Sequence, residues 1–265
     1  MLSMVEYYKL YLPKSKREIK IEVSGPRNKN NIVFDTMYFL DGQNAFHDSH
    51  AAFGRSIRAT KKLSFAAKEL NKRILGIAIY NSGSNLGRIN EYTPFKIDNP
   101  AEKEWLLHDV KNCHNFCDDL IFTIIPFIEK HYNVSKDKNH RFIYGSSLAA
   151  ITALYLGFKY DVFGYIGSFS TASFLFEEKL HNFLLDNKKN INVFLYIGKN
   201  EKSDDIYDDT LYLKSSKKLY NLFKNNNINT RLVIDVNGIH NEEYWDKHLL
   251  DFINFIYNND IFYTY

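Results

Sequence analysis

Ser147 has the sequence neighbours of a catalytic nucleophile. It lies in Gly145-Ser146-Ser147-Leu148-Ala149, between an apolar run at residues 142–144 and a helical pattern at residues 149–156. This arrangement is typical of a nucleophile elbow, a sharp strand-to-helix turn that holds a serine hydroxyl above the sheet. Gly145 and Ala149 are small enough to let strand and helix approach. Such serines also occur by chance in turns without function, so the prediction needs a base and an acid elsewhere.

His240 and Glu201 are the predicted base and acid. His240 follows the last predicted strand, where the chain order serine, acid, histidine requires the base. Glu201 is the carboxylate nearest the end of the strand at 191–197, and Asp204 and Asp205 are alternatives in the same loop. The acid is needed because it fixes one tautomer of the histidine and stabilises its cationic form. A solvent-exposed acidic loop without a catalytic role is the simpler alternative for each of these three carboxylates.

A glycine turn after the strand at 31–40 predicts an oxyanion hole. The turn is Asp41-Gly42-Gln43-Asn44, at the end of a strand where open α/β sheets place ligands. We assign the two N–H donors to the backbones of Gln43 and Leu148. Without the elbow downstream, Asp-Gly would indicate only a turn. The candidate substrate pocket comprises Asn44, Phe174 and Trp245, and core packing is an equally good interpretation of Phe174.

The elements that must position these residues alternate between strands and helices. Segments 5–11 and 18–23 alternate apolar and polar residues, which predicts antiparallel edge strands with one solvated face. Buried strands are predicted at 31–40, 73–80, 142–144, 164–170, 191–197 and 229–236, and helices at 55–70, 101–132 with a break near Pro126, 149–156, 209–226 and 245–257. Residues 81–98 are predicted to form a long loop. The result is an α/β fold with a mostly parallel sheet and helices on both faces.

Composition narrows the class of protein. With 265 residues, of which 45% are hydrophobic, we expect a single domain over residues 1–265. The net charge of +3 comes from 34 basic and 31 acidic residues that are interleaved, which argues against nucleic acid binding. The chain has no basic leader and no apolar run of about 18 residues, so we expect a cytoplasmic protein without membrane contact. Cys113 and Cys117 are expected to be reduced.

Metals and cofactors are not expected. His47-Asp48-Ser49-His50 could suggest a metal pair, but we do not expect these histidines to be metal ligands. The sequence does not indicate an oligomeric state, for which a homodimer is the usual default.

Four segments together resemble the "putative esterase" family of α/β hydrolases. They are Tyr38-Phe39-Leu40-Asp41-Gly42-Gln43-Asn44, Arg88-Ile89-Asn90-Glu91-Tyr92-Thr93-Pro94, Gly145-Ser146-Ser147-Leu148-Ala149 and Gly238-Ile239-His240-Asn241-Glu242-Glu243-Tyr244-Trp245. The resemblance runs nearly end to end. It departs at Ala149 and Ala150, where members usually have two glycines.

The resemblance implies an α/β-hydrolase fold and a serine esterase that acts on a small-molecule ester. It implies Ser147 as nucleophile, His240 as base, Glu201 as acid, and Gln43 and Leu148 as oxyanion donors. The family includes siderophore (enterochelin) esterases, feruloyl and acetyl-xylan esterases, S-formylglutathione hydrolases and mycolyltransferases. Alternative activities are therefore siderophore-ester, feruloyl-ester or acetyl-sugar hydrolysis, and acyl transfer. A catalytically inactive hydrolase scaffold that serves as a binding module is the alternative outside enzymes.

Overall fold

A computed structural model describes residues 4–25, 32–97, 108–202 and 210–258. The described residues form one eight-stranded sheet with the strand order β1-β2-β4-β3-β5-β6-β7-β8. The strands are β1 Met4–Leu12, β2 Arg17–Gly25, β3 Asp35–Phe39, β4 Ile74–Ile79, β5 Arg141–Ser146, β6 Tyr165–Phe169, β7 Asn192–Gly198 and β8 Asn229–Asp235.

The sheet is parallel except at one edge. β1 pairs antiparallel with β2, and β2 pairs antiparallel with β4. The other neighbouring strands are parallel, as the sequence predicts. The carboxyl ends of β3, β5, β6, β7 and β8 therefore lie at one edge of the sheet, where the loops that follow them can meet.

Helices cover both faces of the sheet, also as predicted. They are α1 Ala59–Glu69, α2 Asn85–Tyr92, α3 Val110–Asp119, α4 Ile125–His131, α5 Leu148–Lys159, α6 Glu177–Asp186, α7 Leu211–Asn225 and α8 Glu242–Ile256. Alternate side chains of each strand enter opposite core layers, so Met37 packs with α1 and α8 whereas Tyr38 packs with α5. Within the described ranges, no helix combines the length and the apolar character needed to cross a bilayer.

The predicted loop at 81–98 is wrong over residues 85–92, because α2 forms there. Ser84 is the N-cap of this helix, and its Oγ accepts a hydrogen bond from the N–H of Gly87 at 3.1 Å. The helix was not predicted because its apolar pattern is short and a glycine, Gly87, lies near its start. The Ser84 side-chain cap stabilises its first turn. α2 carries Arg88 and Tyr92, whose side chains hydrogen-bond to Asp41 in the turn after β3.

The predicted helix at 101–132 is interrupted, as expected, near Pro126. Leu120–Ile124 form a π-helical turn between α3 and α4, since Pro126 has no N–H to donate to the carbonyl one turn earlier. Residues 101–107 lie outside the described residues. Cys113 and Cys117, on α3, are buried and free, in agreement with the prediction. Phe174, a candidate pocket residue, belongs to a 3-10 turn, Ser173–Phe176, that leads into α6.

Candidate active site

Ser147 lies in a strained turn between β5 and α5. Its backbone has φ 59° and ψ −123°, outside the conformations that residues with a side chain prefer. Gly145 makes the turn possible, because a Cβ atom at that position would lie 2.3 Å from the carbonyl oxygen of Ala149. The Ala149 methyl is accommodated, so its departure from the glycine of the family pattern does not prevent the turn. The turn leaves Ser147 at the wall of a cleft.

His240 and Glu201 meet on the two loops that follow β8 and β7. The Nδ1 atom of His240 lies 2.9 Å from Oε2 of Glu201, whose side chain is fully buried. Backbone hydrogen bonds join the two loops, from the N–H of Lys199 to the Asp235 carbonyl at 2.8 Å and from Asn200 to Gly238 at 2.9 Å. Gly198 and Gly238 allow this close approach, since a Cβ on either would collide with the other loop.

The buried carboxylate of Glu201 receives two further hydrogen bonds. Its Oε1 atom accepts from the hydroxyl of Ser170 at 2.5 Å and from the N–H of Gly198 at 2.9 Å. The Ser170 hydroxyl in turn accepts from Nε1 of Trp245 at 2.8 Å. With His240, three donors surround one carboxylate, which offsets the cost of burying its charge.

Two aromatic rings hold the imidazole of His240. Trp245 lies edge-on with ring centroids 5.1 Å apart, and Tyr212 lies tilted at 4.7 Å. Because the Glu201 carboxylate pairs with Nδ1, the Nε2 atom on the other side of the ring is left to exchange a proton with another group. His240 is about one-quarter exposed and lines the same cleft as Ser147.

The turn after β3 is held by an ion pair whose carboxylate, that of Asp41, is buried. Asp41 has a left-handed backbone, with φ 51°, and its carboxylate forms a forked ion pair with Arg88 in which Nη2 and Oδ2 are 2.6 Å apart. The Asp41 N–H donates to the Tyr92 hydroxyl at 2.9 Å. Gly42 packs directly against β4, because a Cβ there would lie 2.4 Å from the Ile79 nitrogen. Gln43 is thereby fixed at the cleft wall.

Glu242 is a cleft residue that the sequence analysis missed. It is the first residue of α8, which begins three residues earlier than predicted because the Asn241 side chain caps it, accepting from the N–H groups of Glu243 and Tyr244. The Glu242 carboxylate accepts from Nδ2 of Asn44 at 2.8 Å. Burial raises the pKa of Glu242. This bond joins the turn after β3 to the loop that carries His240.

The cleft has a volume of about 770 Å³. Of the predicted residues, Ser147, His240, Gln43, Asn44 and Trp245 line it, whereas Glu201 lies behind His240. Leu148 is the first residue of α5, next to Ser147. The prediction that Phe174 belongs to the substrate pocket is wrong. Its ring packs edge-on against Tyr212, with ring centroids 4.9 Å apart, and Phe174 is not among the described residues that line the cleft. The alternative acids, Asp204 and Asp205, lie outside the described residues.

The two histidines of the candidate metal pair contact each other and one carboxylate. His50, from the candidate metal pair, lies 2.9 Å from the carboxylate of Glu22 through Nδ1, and His47 packs edge-on against His50. Within the part of the chain that the structure describes, no group of three or more histidine, cysteine, aspartate or glutamate residues could hold a metal ion.

Comparisons with known proteins agree with this architecture. The Esterase family model, described as "Putative esterase", matches residues 13–256. The uncharacterized protein YbbA of Bacillus subtilis (strain 168) is 24% identical over 179 residues, which cover 65% of this chain and 70% of that protein.

Solved structures with the same fold are more distant in sequence. An IroE-like serine hydrolase from Shewanella oneidensis is 13% identical, with a TM-score of 0.80 over 98% of this chain and 82% of its own. The CE1 ferulic acid esterase AmCE1/Fae1A from Anaeromyces mucronatus, solved with ferulic acid, is 19% identical, with a TM-score of 0.68 over 95% of this chain and 89% of its own. The eight-stranded architecture is therefore that of α/β-hydrolase esterases.

Proposed function

Because the chain belongs to the Esterase family over residues 13–256, we propose that it is a serine carboxylic-ester hydrolase that acts through an acyl-enzyme. Family membership gives ester hydrolysis as the reaction class. The proposal adds the serine mechanism and the residues that perform it. The substrate is a small-molecule ester that enters the cleft of about 770 Å³.

One observation carries the proposal. A serine in a strained strand-to-helix turn and an imidazole oriented by a buried carboxylate line the same cleft. Strain of this kind costs about 1–3 kcal/mol and persists only where the surrounding fold imposes it. Burying Glu201 behind His240 is a second cost. Both costs have a common explanation if Ser147 is the nucleophile and His240 its base.

In the first half of the proposed reaction, Ser147 attacks the ester carbonyl. The Nε2 atom of His240 takes the hydroxyl proton as the Ser147 Oγ–carbon bond forms. The N–H groups of Gln43 and Leu148 stabilise the negative oxygen of the tetrahedral intermediate, and each such donor contributes about 3 kcal/mol to lowering the barrier. The intermediate collapses when His240 gives its proton to the alcohol, which leaves with the electron pair of the broken C–O bond.

In the second half, water releases the acid. His240 takes a proton from water as the water oxygen attacks the acyl-enzyme, and the same two N–H groups hold the second oxyanion. The bond to Ser147 Oγ then breaks and the serine recovers its proton from His240. Glu201 keeps its charge throughout and stabilises the imidazolium that forms in each half.

Hydrolysis of p-nitrophenyl acetate by wild-type protein and by Ser147→Ala tests the proposal. We expect kcat to fall by about 10⁴-fold or more in the variant, since the nucleophile is lost. Ser64→Ala is a matched control, because Ser64 lies in α1 and outside the described cleft lining, and it should retain wild-type activity. Equal activity in wild type and Ser147→Ala would refute the serine mechanism. No hydrolysis by wild type of acetyl, butyryl, feruloyl or catechol esters would favour a binding module.

A further inference from the structure

The cleft contains a second imidazole that a buried carboxylate orients. His50 Nδ1 lies 2.9 Å from Oε1 of Glu22, the same separation as between His240 and Glu201. Glu22 is on β2 and only 3% exposed. The Tyr80 hydroxyl donates to the same Glu22 oxygen and lies 3.2 Å from His50 Nδ1. We call Glu22, His50 and Tyr80 the Glu22 cluster.

The Glu22 cluster stands where two cavities adjoin. His50 and Tyr80 line the catalytic cleft, and they also line a second cavity of about 550 Å³. The remaining wall of the second cavity comes from the edge strands, with Tyr7, Lys9 and Lys20 among its residues. Tyr7 is 61% exposed. A ligand that passes the cluster would therefore reach from the cleft onto the β1–β2 hairpin.

Strand spacing separates the cluster from the reacting bond. β2 is the third strand from β5 in the sheet order, and each step between strands is about 4.8 Å, so the backbone of Glu22 lies about 14 Å from β5, the strand that precedes Ser147. Proton transfer requires a heavy-atom separation of about 3 Å. His50 is held by Glu22, which is three strands from β5, so we expect a contact between His50 and substrate to be a binding contact.

A purely structural role explains the cluster poorly. Burial of a carboxylate is costly, and an apolar residue of similar size is often neutral or better for stability. Glu22 continues the charged face of β2, after Glu18 and Lys20, but is the member that tertiary packing covers. Burial and the neighbouring carboxylate raise the pKa of Tyr80, which keeps its hydroxyl a donor. The result is an exposed imidazole held in one orientation at the cleft wall.

We propose that the Glu22 cluster and the second cavity form a distal subsite that binds the hydrogen-bonding groups of an extended polar ester. The inference rests on the proposed esterase function and names a substrate class for it. Imidazole, phenol and ammonium groups suit hydroxyl, carbonyl or carboxylate groups of a ligand, and an alkyl chain would leave them without partners.

Length series of esters test the subsite. One series extends the alcohol, with monoacetylated glucose, cellobiose and cellotriose. The other extends the acyl group, with p-nitrophenyl esters of N-acetylglycine, N-acetyl-diglycine and N-acetyl-triglycine. p-Nitrophenyl butyrate, octanoate and dodecanoate form an apolar series of increasing length. In wild type we expect kcat/KM to rise about tenfold from the shortest to the longest member of one polar series, the effect of one well-made hydrogen bond.

Variants assign that gain to the cluster. The ratio of kcat/KM for the longest and shortest polar esters should fall to about 1 in His50→Ala and in Tyr80→Phe. His140→Ala is the matched control, because His140 Nδ1 lies 2.6 Å from Asp35 in another histidine–carboxylate pair outside the described cleft lining. It should keep the wild-type ratio. Two variants keep the test usable if either one fails to fold.

Two results would overturn the inference. The first is a kcat/KM in wild type that does not change with length in either polar series. The second is a rise of kcat/KM with length that persists in both His50→Ala and Tyr80→Phe. Binding of cellotriose and N-acetyl-triglycine to Ser147→Ala protein, by calorimetry, separates this failure from that of the esterase proposal. Binding that disappears in Ser147→Ala/His50→Ala supports the subsite even if no ester is hydrolysed. No binding of either trimer to Ser147→Ala protein, together with an inactive wild type, rejects both proposals.

Discussion

Ser170 donates a 2.5 Å hydrogen bond to Glu201, although the two residues are 31 positions apart in the chain. Ser170 follows β6 with a left-handed backbone, φ 48°, and is fully buried. Trp245, which contacts the His240 ring, donates to the same hydroxyl. A non-glycine residue in this conformation is uncommon, so the fold maintains a strained residue that places one hydroxyl against the Glu201 carboxylate. We infer that Ser170 is a positioning residue that acts through Glu201.

Ser170→Ala should lower kcat more than it changes KM. The variant removes one of the three donors to a buried carboxylate, which frees Glu201 to rotate away from His240. We expect kcat to fall about tenfold, corresponding to about 1.4 kcal/mol, with KM within twofold of wild type. Steady-state kinetics with p-nitrophenyl acetate measure both constants.

A spectroscopic readout separates positioning from general destabilisation. The Nδ1 proton of His240, held against Glu201, should give a low-field proton resonance that weakens or moves in Ser170→Ala. Ser168→Ala is the control, because Ser168 is also buried, two residues earlier in β6, and its hydroxyl pairs with Thr171 instead. An unchanged resonance with a lower melting temperature would assign Ser170 to stability alone.

Residue type and strand order were sufficient to predict that Ser147, Gln43 and His240 share the cleft. Ser147, Gln43 and His240 each follow a predicted strand, and parallel strands bring such positions to one edge whatever the intervening sequence. Their catalytic roles remain predictions. The alternation of residues 5–11 and 18–23 also identified the antiparallel edge correctly, since a period of two survives in strands with one exposed face.

The supporting residues could not be predicted because their partners are distant in sequence. Ser170 donates a hydrogen bond to Glu201, and Asn44 donates one to Glu242, 198 positions away. His50 is within hydrogen-bonding distance of Glu22. No local pattern encodes such pairs. Phe174 was misassigned for a different reason. An aromatic residue near a strand end is compatible with both a pocket wall and core packing, and only its neighbours in the fold distinguish the two.

Arg88 should be required for both stability and catalysis, because it neutralises Asp41. The Asp41 side chain is only 6% exposed, so Arg88→Met leaves a buried charge without its main partner. We expect unfolding free energy to fall by about 3 kcal/mol and kcat to fall with it, since Asp41 sets the turn that carries Gln43. Urea unfolding and p-nitrophenyl acetate kinetics measure the two effects.

A double variant tests whether the charge itself is responsible. Asn tolerates the left-handed backbone of residue 41, so Asp41→Asn/Arg88→Met removes both charges without straining the turn. The double variant should recover part of the stability lost in Arg88→Met. If the double variant instead loses the sum of the unfolding free energies lost in Asp41→Asn and in Arg88→Met, the ion pair contributes little and Arg88 acts through packing alone.

Glu91 should make the protein less stable as pH rises from about 5 to 8. Burial raises the pKa of Glu91 from 4.5 to about 7, against the opposing attraction of Arg17, whose Nη2 lies 2.5 Å away, and the donated N–H of Ser82. Since the folded pKa exceeds the unfolded value, the folded state binds more protons between these pH values. Its stability therefore falls across this window, by up to about 3 kcal/mol, and levels off above pH 7.

Urea unfolding of wild type and Glu91→Gln at pH 5 and pH 8 measures this dependence. The variant cannot titrate at this position, so we expect wild type to lose about 2 kcal/mol more than Glu91→Gln between the two pH values. Glu18→Gln, on the exposed face of β2, should follow wild type. If wild type instead gains stability relative to Glu91→Gln as pH rises, the ion pair with Arg17 outweighs burial and the carboxylate is favoured in its charged form.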